Sequence, residues 1–207
     1  MSAAFQLCYV TERLSLKAQP LPTRILEAIR AGVNLVQIRE PDLTTRELMK
    51  LVGTAVEAAR GTGSRIVVND RLDVALACGA SGVHLGSRSM PPAAVRARVP
   101  KDVLLGGSCH SLEEALAAQS GGADYLLLGP IFATPSKLPY GPPLGLEKLR
   151  EVTAKVKIPV LALGGITVQS VKACLEAGAT GIAGIRIFQD CDSLQARVKE
   201  LRGQFPS

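Results

Sequence analysis

The stretch Pro159–Thr167, PVLALGGIT, decides the fold. Its apolar run, bounded by Pro and a Gly-Gly pair, reads as a short strand buried on both faces. Such strands belong to parallel sheets covered by helices. Gly164 and Gly165 leave backbone N–H groups open to close approach just ahead of a helix. That is the setting of an anion site, or equally of a tight turn.

The same strand-then-helix pattern repeats along the chain with a period of roughly 25 residues, in eight cycles. The strands read as Leu7–Thr11, Leu35–Arg39, Arg65–Asn69, Gly82–Leu85, Val103–Ser108, Tyr125–Gly129, Pro159–Leu163 and Gly181–Ile185. The helical patterns cover Thr23–Ala31, Thr44–Arg60, Arg71–Cys78, Pro92–Arg98, Leu112–Gln119, Leu146–Val156, Val168–Ala177 and Ser193–Gly203. Ser111 with Glu114 suggests a capping box. Gly61, Gly79, Gly121 and Gly178 stand where helices should stop. Alternating elements imply parallel strands with right-handed crossovers, and eight units close into a single-domain (β/α)8 TIM barrel. An open doubly wound sheet is the alternative. Against it, no GxGxxG follows the first strand.

The 207 residues suffice for one large core, with no domain boundary or low-complexity linker. Aromatics make up only 3% of the chain, with no Trp, so the core must be aliphatic. No basic segment is interleaved with aromatics, which argues against nucleic acid as a partner. The net charge of +6 is spread along helix faces and suits small anionic substrates. Five cysteines without a CxxC pair point to reduced thiols in a cytoplasmic protein. No signal pattern precedes the first strand, and no apolar run approaches the ~20 residues of a membrane span.

In such barrels the chemistry lies at the carboxyl ends of the strands. Gln37 and Arg39 end the second strand on one face. Arg39 needs either an anionic ligand or a carboxylate such as Asp70. Asn69 and Asp70 end the third, where Asp70 is a metal ligand, an acid or base, or a helix N-cap. His84 in the fourth is a core histidine or a ligand contact. The fifth ends in Ser108 and His110, without the GxSxG elbow of a hydrolase. A long loop, Pro130–Gly145, carries Thr134, Ser136 and Lys137, donors fit to close on an anion. Gly164 and Gly165, with Gly184, Ile185 and Arg186 after the eighth strand, form the expected phosphate cup.

Taken together, VQIRE, VVNDR, GVHLG, GGSCHS, ADYLLLGPIFATPSK, PVLALGGI and AGATGIAGI resemble the thiamin phosphate synthase superfamily, which also contains thiazole tautomerases. The resemblance spans essentially the whole chain. It implies a synthase joining hydroxymethylpyrimidine diphosphate to thiazole phosphate with release of pyrophosphate. Gln37, Arg39 and Asn69 would contact the pyrimidine diphosphate, with Ser108 and Lys137 holding its phosphates. Asp70 would ligate Mg²⁺. Thr134 and Ser136 would line the thiazole phosphate end, and Gly165 with Gly184–Arg186 would bind that phosphate. A homodimer is expected at the family level.

This chain departs from the synthase pattern at three positions. Pro41 stands where synthases carry Lys, Ser89 where they carry a second Mg²⁺ carboxylate, and Arg186 where they carry Ser. The tautomerase branch needs no diphosphate machinery, yet its catalytic His is replaced by Pro130. A thiazole phosphate enzyme of that kind, or a non-catalytic phosphate-binding regulator, are the alternatives to a synthase.

Overall fold

The computed structural model describes residues 6–17, 19–134 and 142–206. Eight parallel strands pair in sequence order and close into a barrel through a β1–β8 ladder. They are β1 Leu7–Val10, β2 Leu35–Ile38, β3 Arg65–Asn69, β4 Gly82–Leu85, β5 Leu104–Cys109, β6 Tyr125–Leu128, β7 Val160–Leu163 and β8 Gly181–Gly184. The intervening helices are α1 Leu21–Arg30, α2 Thr45–Ala59, α3 Leu72–Ala77, α4 Pro92–Arg96, α5 Leu112–Ser120, α6 Gly145–Lys155 and α7 Val168–Glu176. After β8 come a four-residue helix α8, Arg186–Gln189, and α9, Leu194–Arg202.

The expected (β/α)8 barrel is therefore present, and most element ends lie within one or two residues of those read from the pattern. The differences have local causes. α1 starts at Leu21, not Thr23, because Pro22 in the first turn forfeits only an N–H with no intrahelical partner. α8 is too short to leave a periodic signal, so Gly184–Arg186 is not a plain turn: Gly184 ends β8 and Arg186 begins a helix. Ser111 caps α5 by accepting from the Glu114 N–H at 3.1 Å, but the reciprocal half of the box does not form. The Glu114 carboxylate reaches one residue further back, to the His110 N–H at 2.7 Å. The left-handed glycine after α5 is Gly122, not Gly121.

The strand alternation sorts side chains into two cores. Cys8, Val10, Leu35, Val67, Leu104, Tyr125, Leu127, Leu161 and Ala183 fill the barrel interior. Leu7, Val36, Ile66, Leu126, Leu128 and Ile182 face outward against the helices. Both strand faces are thus dry, which explains the near-continuous apolar strands in the sequence.

Leu128 is fully buried between β6 and the helices. Leu128→Ala is expected to lower unfolding stability by about 2–5 kcal/mol, from lost transfer energy plus the cavity left behind. Urea denaturation followed by circular dichroism measures it.

Candidate active site at the carboxyl ends of the strands

Closure brings the ends of β2, β3, β4 and β5 together as a run of hydrogen-bonded polar side chains. Gln37, only 2% exposed, donates its Nε2 to Asn69 Oδ1 at 3.0 Å. Asn69 Nδ2 donates to Asp70 Oδ2 at 2.8 Å. Asp70 Oδ1 accepts from the Gly86 N–H at 3.2 Å and from the Ser89 hydroxyl. A carboxylate with three donors around it is held in place and still keeps lone pairs for a ligand.

The Asp70 backbone is left-handed, with φ of 60°, the one such non-glycine among the described residues. That conformation costs on the order of 1–3 kcal/mol and persists only where the surroundings impose it. Here its N–H is tied to His84 O at 2.9 Å while the carboxylate is tied to Gly86 and Ser89. The N-cap alternative for Asp70 fails: the residue flanking α3 is Arg71, and the Asp70 carboxylate is engaged elsewhere. Its carboxylate does not pair with Arg39 either, since its partners are Asn69, Gly86 and Ser89.

Arg39 is exposed at the same rim. Its position is set by residues that the sequence reading did not single out. The Arg39 N–H donates to Thr11 Oγ1 at 3.0 Å, and that hydroxyl donates to Glu40 at 2.6 Å. Glu40, 5% exposed, also accepts from the Arg13 N–H at 3.1 Å. Burial raises the Glu40 pKa against the lowering pull of these bonds. The signal was present in VQIRE, whose terminal carboxylate follows the Arg, but its partner Thr11 lies on another strand.

His84 is fully buried, and both its ring nitrogens are engaged. Nδ1 lies 3.0 Å from Tyr125 Oη and Nε2 lies 2.8 Å from Ser108 Oγ. His84 therefore sits behind Ser108 and not at the open surface of the site. Burial pushes its pKa down to about 4, with the Asp70 charge pulling the other way. The ring is neutral at pH 7. His110 is elsewhere, exposed and paired with Glu114 at 3.2 Å, so it forms no triad with Ser108. Beside Ser108 a cleft of about 300 Å³ opens between Gly86, Ser89 and Met90 on one side and Glu114 and Ala118 of α5 on the other.

Across the mouth lies the glycine end. Gly164 and Gly165 have φ of 94° and 66°. A Cβ on Gly164 would lie 2.7 Å from Pro130 Cα, and one on Gly165 would lie 2.8 Å from Phe132 O. The pair is thus packed against the start of the β6–α6 loop, which bonds back through the Ile131 N–H to Leu163 O at 2.8 Å and the Phe132 N–H to Gly164 O at 3.0 Å. Thr134, further along that loop, is buried. Ser136 and Lys137 lie outside the described residues. Gly184 is buried, Ile185 half-buried and Arg186 exposed at the start of α8. Gln189 anchors α8 by donating to Glu12 O and Ser15 Oγ, both at 3.0 Å.

This constellation sits within a stretch, residues 7–188, that matches the family profile described as thiamine monophosphate synthase. The chain belongs to that family. It is 35% identical over 202 residues to the thiamine-phosphate synthase of Syntrophomonas wolfei, covering 98% of this chain and 97% of that protein. It is 40% identical over 180 residues to the thiamine-phosphate synthase of Albidiferax ferrireducens, covering 87% of this chain and 82% of that one. Among solved structures, the thiamine phosphate pyrophosphorylase of Pyrococcus furiosus superposes with a TM-score of 0.87 at 35% identity, over 97% of this chain and 95% of the other. In this member of the thiamine monophosphate synthase family, the Ser89 hydroxyl donates to Asp70.

Because the folded His84 pKa of about 4 lies below the ordinary 6.5, the unfolded chain takes up the proton first as pH falls. The contribution of the neutral ring is whole above pH 6.5 and lost as pH drops toward 4. It amounts to about 3 kcal/mol. His84→Gln is expected to flatten that part of the stability–pH curve, read from urea midpoints between pH 4 and 7.

Proposed function

We propose that this protein joins hydroxymethylpyrimidine diphosphate to thiazole phosphate and releases pyrophosphate, with Mg²⁺ as the metal. The observation that carries this reading is the Asp70 carboxylate, held at the barrel mouth by a left-handed backbone beside the Gln37–Asn69 pair and the Arg39 rim. Membership of the thiamine monophosphate synthase family supplies the reaction class.

The residues fit Mg²⁺ in one specific sense. Among the described residues no group of three His, Cys, Asp or Glu side chains converges on a metal position. Mg²⁺, however, is commonly held by one or two carboxylates together with substrate phosphates and water. Asp70 would supply the protein carboxylate, and the substrate diphosphate with water the remaining oxygen ligands. When bound, the ion offsets negative charge on the diphosphate as it departs.

The protein's own groups do the remaining work. The Gln37 and Asn69 amides, locked to each other, offer donors and acceptors to the pyrimidine. Arg39 places positive charge where negative charge develops on the leaving group, and Lys137, outside the described residues, would add a second cation there. Ser108 donates to the same end. The bond from the pyrimidine methylene to the diphosphate oxygen breaks, and its electron pair leaves with pyrophosphate. The thiazole nitrogen lone pair then forms the new C–N bond. Thr134, and Ser136 beyond the described residues, would serve the thiazole end, where main-chain N–H groups at Gly164, Gly165, Gly184 and Ile185, with Arg186, would hold the second phosphate. The five free cysteines agree with a reducing cytoplasmic setting.

Pure protein given both substrates and Mg²⁺ is expected to release pyrophosphate stoichiometrically with thiamin phosphate. Chelation should abolish it. Release no faster than in a protein-free control would overturn the reading. Arg39→Ala is expected to lower kcat/KM by about a hundredfold or more, the usual loss when one preorganised charge donor is removed from a developing anion. Steady-state kinetics with a coupled pyrophosphate assay measures both.

A further inference from the structure

Two hydroxyls share one imidazole in this barrel, and the strand register explains how. His84 pairs with Gly106, and Gly106 pairs with Tyr125. At one level of the interior, β4, β5 and β6 therefore present an imidazole, an empty position and a phenol. A Cβ on Gly106 would lie 2.3 Å from Tyr125 Oη and 2.5 Å from His84 Nδ1. The 3.0 Å contact between phenol and ring thus passes through space that any other residue at position 106 would fill. Two residues further along β5, Ser108 lies on the same face and meets Nε2 at 2.8 Å.

A neutral imidazole has one N–H and one lone pair. One of the two hydroxyls must donate to the ring and the other must accept from it. They are not equivalent. A phenol is ordinarily a stronger acid than an aliphatic hydroxyl and so the better donor to a ring nitrogen, and burial, which raises the Tyr125 pKa, keeps its proton on the oxygen. Tyr125 is fully buried, whereas Ser108 is half-buried at the mouth, where its own proton can find a ligand. A Ser108 that gave its proton to Nε2 would show the mouth only lone pairs. Lone pairs repel an anion.

We propose that Tyr125, His84 and Ser108 form a one-way hydrogen-bond relay: Tyr125 Oη–H donates to Nδ1, Nε2–H donates to Ser108 Oγ, and the Ser108 proton is left pointing at the substrate. His84 and Tyr125 are then positioning residues, acting through Ser108. Gly106 is the gap that lets them meet. The anionic ligand rests on the synthase reading; the greater acidity of the phenol, which sets the same direction, does not.

The tautomer is measured directly by ¹⁵N NMR of the histidine-labelled protein at neutral pH, with His110→Gln to assign the two rings. The relay requires the His84 proton on Nε2. A proton on Nδ1 overturns it, with or without any enzymatic activity. A double-mutant cycle tests the consequence, using Mg²⁺–pyrophosphate affinity as the probe. Tyr125→Phe is expected to weaken binding about tenfold in the wild type, the scale of one lost hydrogen bond. In a Ser108→Ala background it should change binding by less than about twofold. Equal losses in both backgrounds would mean that Tyr125 acts only on the fold. Absent pyrophosphate binding by the wild type would count against the synthase reading, while the tautomer still decides the relay.

Discussion

Every distance at the site depends on the closure of the barrel. The polar run Gln37–Asn69–Asp70–Ser89 steps across β2, β3 and the loop after β4, and the His84–Ser108 contact joins β4 to β5. None of these residues is a sequence neighbour of its partner apart from Asn69 and Asp70. What holds them within hydrogen-bonding reach is a ring of parallel ladders, completed where Leu7, Cys8 and Tyr9 pair with Ile182, Ala183 and Gly184. The ring is stable because both strand faces are apolar over most of their length. Towards the carboxyl ends the interior changes character. Gln37, His84 and Ser108 replace aliphatic side chains, and each has a partner. Burying polar groups costs little only when they are satisfied, so this layer is fixed by its own hydrogen bonds.

At the mouth Asp70 and Arg39 carry opposing charges, and each is held in place by its neighbours. Ser89 does not leave Asp70 unsupported. Its hydroxyl donates to the carboxylate that a second carboxylate would have repelled, which is easier to hold in a fixed geometry without a metal bound. Arg39 is stabilised differently, by its backbone. The Thr11–Glu40 pair grips the chain on either side of it and leaves the guanidinium at the rim.

The barrel was legible because short continuous apolar strands and amphipathic helices are local patterns, and a parallel sheet at this chain length has few ways to close. The strand ends, and hence Gln37, Arg39, Asp70 and Ser108, could be read for the same reason. What could not be read was register. Whether His84 meets Tyr125, and whether Arg39 meets Asp70, depends on which residues of adjacent strands stand level. Sequence parity gives only the face. The same limit applies to Glu40 and Thr11, which are 29 residues apart and joined by one hydroxyl. Short elements failed for a different reason: α8 has too few residues to repeat any pattern.

The glycine pair after β7 shows how two readings of one motif can both be required. As a turn, Gly164 and Gly165 adopt positive φ, which side chains resist. As a platform, they admit Pro130 and Phe132 to distances that no Cβ would allow. The loop that begins there runs on through Thr134 towards the segment bearing Ser136 and Lys137. Its first turn is pinned to β7 by the bonds from Ile131 and Phe132. With both glycine α-carbons facing that loop, the glycines themselves have only main-chain N–H groups to offer a ligand. A side chain at either glycine would push the start of the loop off the strand. The end of β7 and the start of the loop are therefore one unit, and the glycines couple them by leaving no room between them.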